Sequence, residues 1–107
     1  MSNETRDTLE LFRQQGFDMS RPMKIEFFLA LPDEEAGKRI IDQIESEGFS
    51  VSLESDSETG KWTCYCSKDL VPAYSAIIEI ESRLDEIAKG AGGFADGFGS
   101  YGNSMSE

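Results

Sequence analysis

The chain contains no histidine among its 107 residues. Histidine is the commonest general base and the commonest zinc ligand in proteins, so the usual means of acid–base and zinc chemistry are missing. The only cysteines, Cys64 and Cys66, form no C-x-x-C pair for redox work. No glycine-rich loop of the phosphate-binding kind opens a predicted helix. We therefore expect no catalytic residue, no metal site and no cofactor, with an enzyme that uses carboxylates alone as the alternative.

Basic residues are also scarce: 10 lysines and arginines stand against 21 aspartates and glutamates, a formal net charge of −11. Nucleic acids and anionic membranes are polyanions, so we expect the chain to bind neither directly. An acidic protein instead attracts a basic protein partner. Nine acidic and two basic residues lie within positions 33–58, and we select Glu45, Glu47 and Glu54 there as candidate partner contacts. The alternative is that this stretch is only a solvated face.

The sequence has no recognisable targeting or membrane segment. Its first residues lack the basic and apolar regions of a secretory signal, and its apolar runs are far too short to cross a bilayer. Cys64 and Cys66 are two positions apart on a predicted strand. This spacing puts their Cα atoms about 6.5–7 Å apart, at or beyond the usual range for a disulfide. We therefore expect free, buried thiols and a cytoplasmic location.

Hydrophobic periodicity predicts three helices and four strands. The pattern is most regular in the last helix, where apolar residues recur at spacings of 4, 3, 4 and 3 at Ala73, Ile77, Ile80, Leu84 and Ile87. The helices are predicted over 4–15, 33–47 and 70–89. The strands are predicted over 23–31, 49–54, 61–67 and 94–99. Asp33 is expected to cap the second helix, because its side chain can accept a hydrogen bond from the first turn.

This order of elements predicts an α+β fold. The last two helices must cover one face of a four-stranded antiparallel sheet, which gives a ferredoxin-like βαββαβ sandwich with an extra N-terminal helix. The length suits one domain with one core. We divide residues 1–107 into a helix and connector (1–21), a ferredoxin-like core (22–101) and a tail (102–107), and expect a monomer or a weak homo-oligomer.

Strand alternation assigns Phe28 and Tyr65 to the face of the sheet that the helices leave open. RNA-recognition sheets place stacking aromatics on this face. The third strand, however, lacks the glycine-aromatic pattern of those modules, and Glu26 beside Phe28 would repel phosphate. The two remaining interpretations are an exposed protein-binding patch and a pair of rings covered by the N-terminal helix or by residues 94–101.

Three aromatic residues fall within the eight positions 94–101 near the end of the chain. Disordered segments are poor in aromatics, so this segment is expected to fold onto the domain as a strand or an ordered turn. Asp96-Gly97 is a typical turn dipeptide. We select Asp96, Gly97, Phe98 and Tyr101 as candidate partner contacts, with Phe98 in one aromatic patch with Phe28 and Tyr65. The alternative is a purely structural role for this motif.

Three stretches carry a resemblance to a known family. They are a helix end with a Gly-x-Asp turn (13–18), a strand-helix-strand core (25–29, with Ala36 and 48–51), and the closing stretch 93–101, which is similar to a tyrosine-Asp-Gly-Trp motif. Together they resemble the RraB family, the regulator of ribonuclease E activity B. Ala95 stands where that family often has tyrosine, and Phe98 where it often has tryptophan.

The resemblance implies a non-catalytic protein that binds ribonuclease E and inhibits its cleavage of RNA, which alters transcript abundance. Composition is compatible with this role, since an acidic domain can dock on the basic surfaces of a nuclease. The identity of the nuclease comes from the resemblance alone. The alternative class of function is a ferredoxin-like domain that senses a small molecule or binds another protein.

Overall fold

Three helices and four strands form in the order that the sequence predicts. The computed structural model describes residues 4–100 and 102. The helices are α1 (Glu4–Gln14), α2 (Glu34–Glu45) and α3 (Tyr74–Lys89). The strands are β1 (Met23–Leu31), β2 (Ser50–Ser55), β3 (Trp62–Leu70) and β4 (Phe94–Ser100). Tyr101 and residues 103–107 of the expected tail lie outside the described residues.

The four strands form one antiparallel sheet in the order β2-β3-β1-β4. The two strands with the most apolar sequences, β1 and β3, are therefore in the centre. This arrangement confirms the predicted α+β fold with a βαββαβ core and an N-terminal helix. None of the helices in residues 4–100 is both long enough and apolar enough to cross a membrane.

The boundary between β3 and α3 differs from the prediction. β3 continues to Leu70, three residues further than expected, because Leu70 pairs with Met23 and so matches the full length of β1. Pro72 has no backbone N–H, and the residue before a proline avoids helical angles. The helix accordingly begins at Tyr74, and Ala73 occupies the extended N-cap position instead of starting the buried stripe.

The first turn of α2 is capped as the sequence predicts. Asp33 Oδ1 accepts a hydrogen bond from the backbone N–H of Ala36 at 2.9 Å. Two glutamates in the first turn complement the helix dipole. Beyond the helix, Gly48 has a φ of +96°, an angle that favours glycine and turns the chain into β2.

The hydrophobic core lies between the helices and one face of the sheet. Ile25, Phe27 and Leu29 of β1 are at most 1 % exposed, and buried side chains from all three helices surround them. Helix α1 joins this layer through Leu9 and Phe12. A hydrogen bond from Thr5 Oγ1 to Glu81 Oε1, 2.6 Å long, ties it to α3. All three helices therefore occupy the same side of the sheet.

Candidate protein-interaction surface

Two aromatic side chains stand together on the face of the sheet away from the helices. Phe28 of β1 and Tyr65 of β3 are directly opposed in the register. Directly opposed residues of an antiparallel pair point to the same face. Their ring centroids are 5.6 Å apart at an interplanar angle of 83°, an edge-to-face contact. Both are half-buried.

Among the described residues, α1 and the closing segment lie in the core layer and in the sheet, and Tyr101 of that segment is outside the described residues. Helix α1 packs in the core layer, where Phe12 contacts Phe98 edge-on with centroids 5.8 Å apart. Residues 94–100 form the edge strand beside β1 and do not cross the two rings. We call the face of the sheet that carries these two half-buried rings the open face.

A shallow hollow lies beside Phe28 between β1 and β4. Its volume is about 240 Å³, and its lining residues are Lys24, Glu26, Phe28, Gly99 and Ser100. The hollow exists because Gly99 has no side chain: a Cβ there would lie 3.6 Å from the edge of the Phe28 ring. Ser100 Oγ donates a 2.6 Å hydrogen bond to the Lys24 carbonyl and fixes β4 at this end.

The charges of the open face are mainly negative. The register places three carboxylates on it, from Glu26, Glu54 and Asp69. Lys24 opposes Asp69 on the same face. Within residues 4–100 and 102, none of these three carboxylates is within ion-pair distance of a basic side chain. An approaching cation would therefore meet carboxylates that are not already neutralised.

Sequence reasoning missed one member of the open face, Phe94. Phe94 opposes Ala30 and is 51 % exposed, so it extends the aromatic surface toward β4. Strand alternation already places Glu26 on the face of Phe28, and the structure adds that Glu26 lines the hollow beside this ring. Strand alternation could have found Phe94, because Phe94 has the parity of Phe98, the residue predicted for this aromatic patch.

The acidic candidates do not form one surface. Glu47 lies in the helical layer, where its Oε2 accepts hydrogen bonds from Arg83 Nη2 at 2.6 Å and Nε at 2.9 Å. These hydrogen bonds and the charge of Glu47 raise the pKa of Arg83. Glu45 is exposed at the end of α2. Glu54 points to the open face of β2, because it opposes Thr63 and alternates with the core-facing Leu53.

Comparison with known proteins identifies the family. A family model described as "Regulator of ribonuclease activity B" matches residues 2–100. The chain belongs to the RraB family. The matched span includes every helix and strand of the described structure. The comparison with curated proteins gives no match.

The closing motif of this RraB-family chain forms a β-bulge and not the turn that Asp96-Gly97 suggests. Phe98 opposes Phe27 and Ala95 opposes Leu29, so Asp96 and Gly97 together face only Phe28. Gly97 has a φ of +111°, which its lack of a side chain allows. The extra residue lets Ala95 and Phe98, three positions apart, both face the core.

Because of the bulge, Phe98 does not belong to the predicted aromatic patch. Phe98 is 8 % exposed and lies in the core, with its ring centroid 5.9 Å from that of Phe27. It is therefore on the opposite face of the sheet from Phe28 and Tyr65. Asp96 and Gly97 are exposed at the edge of β4, while Tyr101, the remaining candidate of this motif, lies outside the described residues.

The two cysteines are free and buried, as the sequence predicts. Their sulfur atoms are 3.7 Å apart. The hydrogen bond to Cys64 and burial raise the pKa of the Cys66 thiol, so its reactive thiolate form is disfavoured. Within residues 4–100 and 102, no three cysteine, aspartate or glutamate side chains are grouped so that they could hold a metal ion.

Proposed function

We propose that this protein binds ribonuclease E in the cytoplasm and inhibits its endonucleolytic cleavage of RNA, without catalysing a reaction itself. Transcripts that the nuclease degrades would then become more abundant. The observation that carries this proposal is the family match over residues 2–100, whose description is a regulator of ribonuclease activity. The choice of ribonuclease E rests on the resemblance of the closing stretch and the strand-helix-strand core.

Charge and surface chemistry support a protein partner. The net charge of −11 makes direct contact with RNA unfavourable, whereas the basic RNA-binding surfaces of a nuclease would attract the chain. The open face offers aromatic side chains beside carboxylates that form no ion pair with the described residues 4–100 and 102. A domain of this kind can occupy a basic surface of the nuclease and so compete with its RNA substrate.

The proposal is tested by measuring cleavage of a fluorescent single-stranded RNA by purified ribonuclease E as this protein is added. We expect the cleavage rate to fall with increasing concentration of the protein until the nuclease is saturated. An unrelated endonuclease on the same RNA is the control, and its rate should not change, because the protein would act on the enzyme and not on the RNA.

Direct binding is measured in parallel by biolayer interferometry with immobilised ribonuclease E. A complex that forms at micromolar concentrations together with slower cleavage supports the proposal. If the two proteins form no complex and cleavage is unaffected, the proposal is wrong. Equal inhibition of both endonucleases would also contradict it, because that result indicates sequestration of the RNA.

A further inference from the structure

Two aromatic rings of this molecule already hold a cation that the chain itself supplies. The guanidinium carbon of Arg6 is 4.7 Å from the centroid of the Tyr74 ring, and the Nζ of Lys68 is 4.9 Å from that of Phe49. Both distances are in the range of a favourable cation–π interaction. The edge-to-face pair of Phe28 and Tyr65 has no such cation from residues 4–100 and 102.

The hollow beside Phe28 places a carboxylate next to an aromatic ring. The Phe28 ring forms one wall, and the Glu26 side chain lines the same hollow without an ion pair from the described residues. Neither direct neighbour of Glu26 across the strands is basic: they are Ser67 and Gly99. Lys24 also lines the hollow but makes no ion pair with Glu26, and Asp69 opposes it on β3.

Among protein cations, arginine matches this combination of groups best. Its guanidinium is planar, stacks on aromatic rings and donates two parallel hydrogen bonds to one carboxylate. It is also more weakly hydrated than the ammonium of lysine, so it loses less on entering a partly apolar hollow. Gly99 leaves room for such a flat group between Phe28 and β4.

We propose that the open face binds an arginine side chain of the protein partner, with the guanidinium against the Phe28 ring and the Glu26 carboxylate accepting its hydrogen bonds. Tyr65 supports the Phe28 ring edge-on, and Glu54 and Asp69 add long-range attraction for a basic segment. The partner's identity as ribonuclease E rests on the function proposed above, whereas the arginine chemistry rests on the open face itself.

The first test uses an eight-residue arginine-rich peptide and the same peptide with every arginine replaced by lysine. Each is titrated into the isotopically labelled protein at about 0.15 M salt, which screens long-range attraction between exposed charges. We expect the arginine peptide to shift the amide signals of Glu26, Phe28 and Gly99, and to bind more tightly than the lysine peptide. Equal affinity of the two peptides, or shifts confined to the helices, would overturn the inference.

Two substitutions and one control sharpen the test. Glu26→Gln removes the charge and keeps the shape, and Gly99→Val fills the hollow without a charge change. Each should lower the affinity for the arginine peptide by about tenfold, which corresponds to about 1.4 kcal/mol. Glu26→Gln weakens the charge-assisted hydrogen bonds, and Gly99→Val excludes the guanidinium from the hollow. Glu79→Gln makes the same charge change on the exposed side of α3 and should weaken binding less than about twofold.

The same four proteins, checked for an unchanged melting temperature, are then tested against ribonuclease E. If wild type binds and Glu26→Gln binds equally well, this inference is wrong and the proposed function stands. If the peptide results are as expected but ribonuclease E does not bind, the proposed function is wrong and the arginine site stands. If Glu26→Gln and Gly99→Val weaken binding of the peptide and of the nuclease, and Glu79→Gln weakens neither, the arginine site and the proposed function are both supported.

Discussion

The two faces of β1 place the same kind of residue in opposite environments. Phe27 is 1 % exposed and packs against Phe49 and Phe98. Phe28, the next residue, is half-buried and contacts only Tyr65 among the aromatic rings of the described residues. Strand alternation alone makes this difference. The buried core therefore lies on one side of the sheet, and Phe28 and Tyr65 on the other side do not belong to it.

Removing each ring in turn gives the strongest test of the difference between the two faces of β1. Phe27→Ala should lower the free energy of unfolding by about 3–5 kcal/mol, because it leaves a cavity in a close-packed core. Phe28→Ala should cost only about 1 kcal/mol, mainly through the lost edge-to-face contact. Urea denaturation of both variants measures the difference. Similar losses in the two would mean that the open face also belongs to the core.

A pair of glycines extends the comparison to β4. A Cβ at Gly93 would collide with the backbone carbonyl oxygen of Ala30, which cannot move without disturbing β1. Gly93→Ala should therefore destabilise the protein by about 1–3 kcal/mol. At Gly99, on the open face, an added Cβ makes an ordinary contact with Phe28, so Gly99→Ala should change stability by less than about 0.5 kcal/mol. Thermal melts that rank the two variants in reverse order would contradict the close approach at Gly93.

The smallest effect concerns the link between the helical layer and β4. Asp85 Oδ1 accepts a hydrogen bond from the backbone N–H of Ala95 at 2.9 Å, and its side chain pairs with Lys89 at 3.0 Å. The hydrogen bond from Ala95, helped by Lys89, holds the pKa of Asp85 below its ordinary value. The contribution of the ionised Asp85 carboxylate to stability is therefore complete above about pH 4, and it is lost as the pH falls through the lower, folded-state pKa.

This linkage is measured with Asp85→Asn, which keeps an oxygen acceptor and removes the titration. The variant should be less stable than wild type at pH 6, by about 1 kcal/mol. The difference should shrink as the pH is lowered from about 4 toward 2. Urea denaturation of the two proteins across this range gives the free energy of unfolding as a function of pH. If the difference between the two proteins stays constant down to pH 2, the ionised carboxylate of Asp85 contributes nothing to stability.

The sequence predicts those parts of the fold that depend on periodic burial. The stripe of α3 and the alternation of β1 are long and regular, so the position of Leu84 in the core and of Phe28 on the open face follow from them. The end of β3 at Leu70 could not be predicted from periodicity, because Leu70 pairs with Met23, a contact between distant parts of the chain. Pairing of this kind overrides local signals for a helix start.

The prediction that Phe98 lies on the same face as Phe28 is wrong for a similar reason. Simple alternation places Phe94, Asp96 and Phe98 on one face. The β-bulge at Asp96-Gly97 adds one residue, so Phe94 stays on the open face and Phe98 turns into the core. Whether an Asp-Gly pair makes a turn or a bulge depends on the strand beside it, and this information is absent from the segment itself.

The bulge has a second consequence, which concerns the edge of the sheet that β4 forms. An edge strand presents a row of free backbone donors and acceptors that another chain can join, and a bulge interrupts the spacing of that row. In β4 the interruption falls in the middle of a seven-residue strand. A foreign strand could then pair regularly with only a few residues on either side of it. The bulge that turns Phe98 into the core thus also disfavours intermolecular strand pairing along the β4 edge of the sheet.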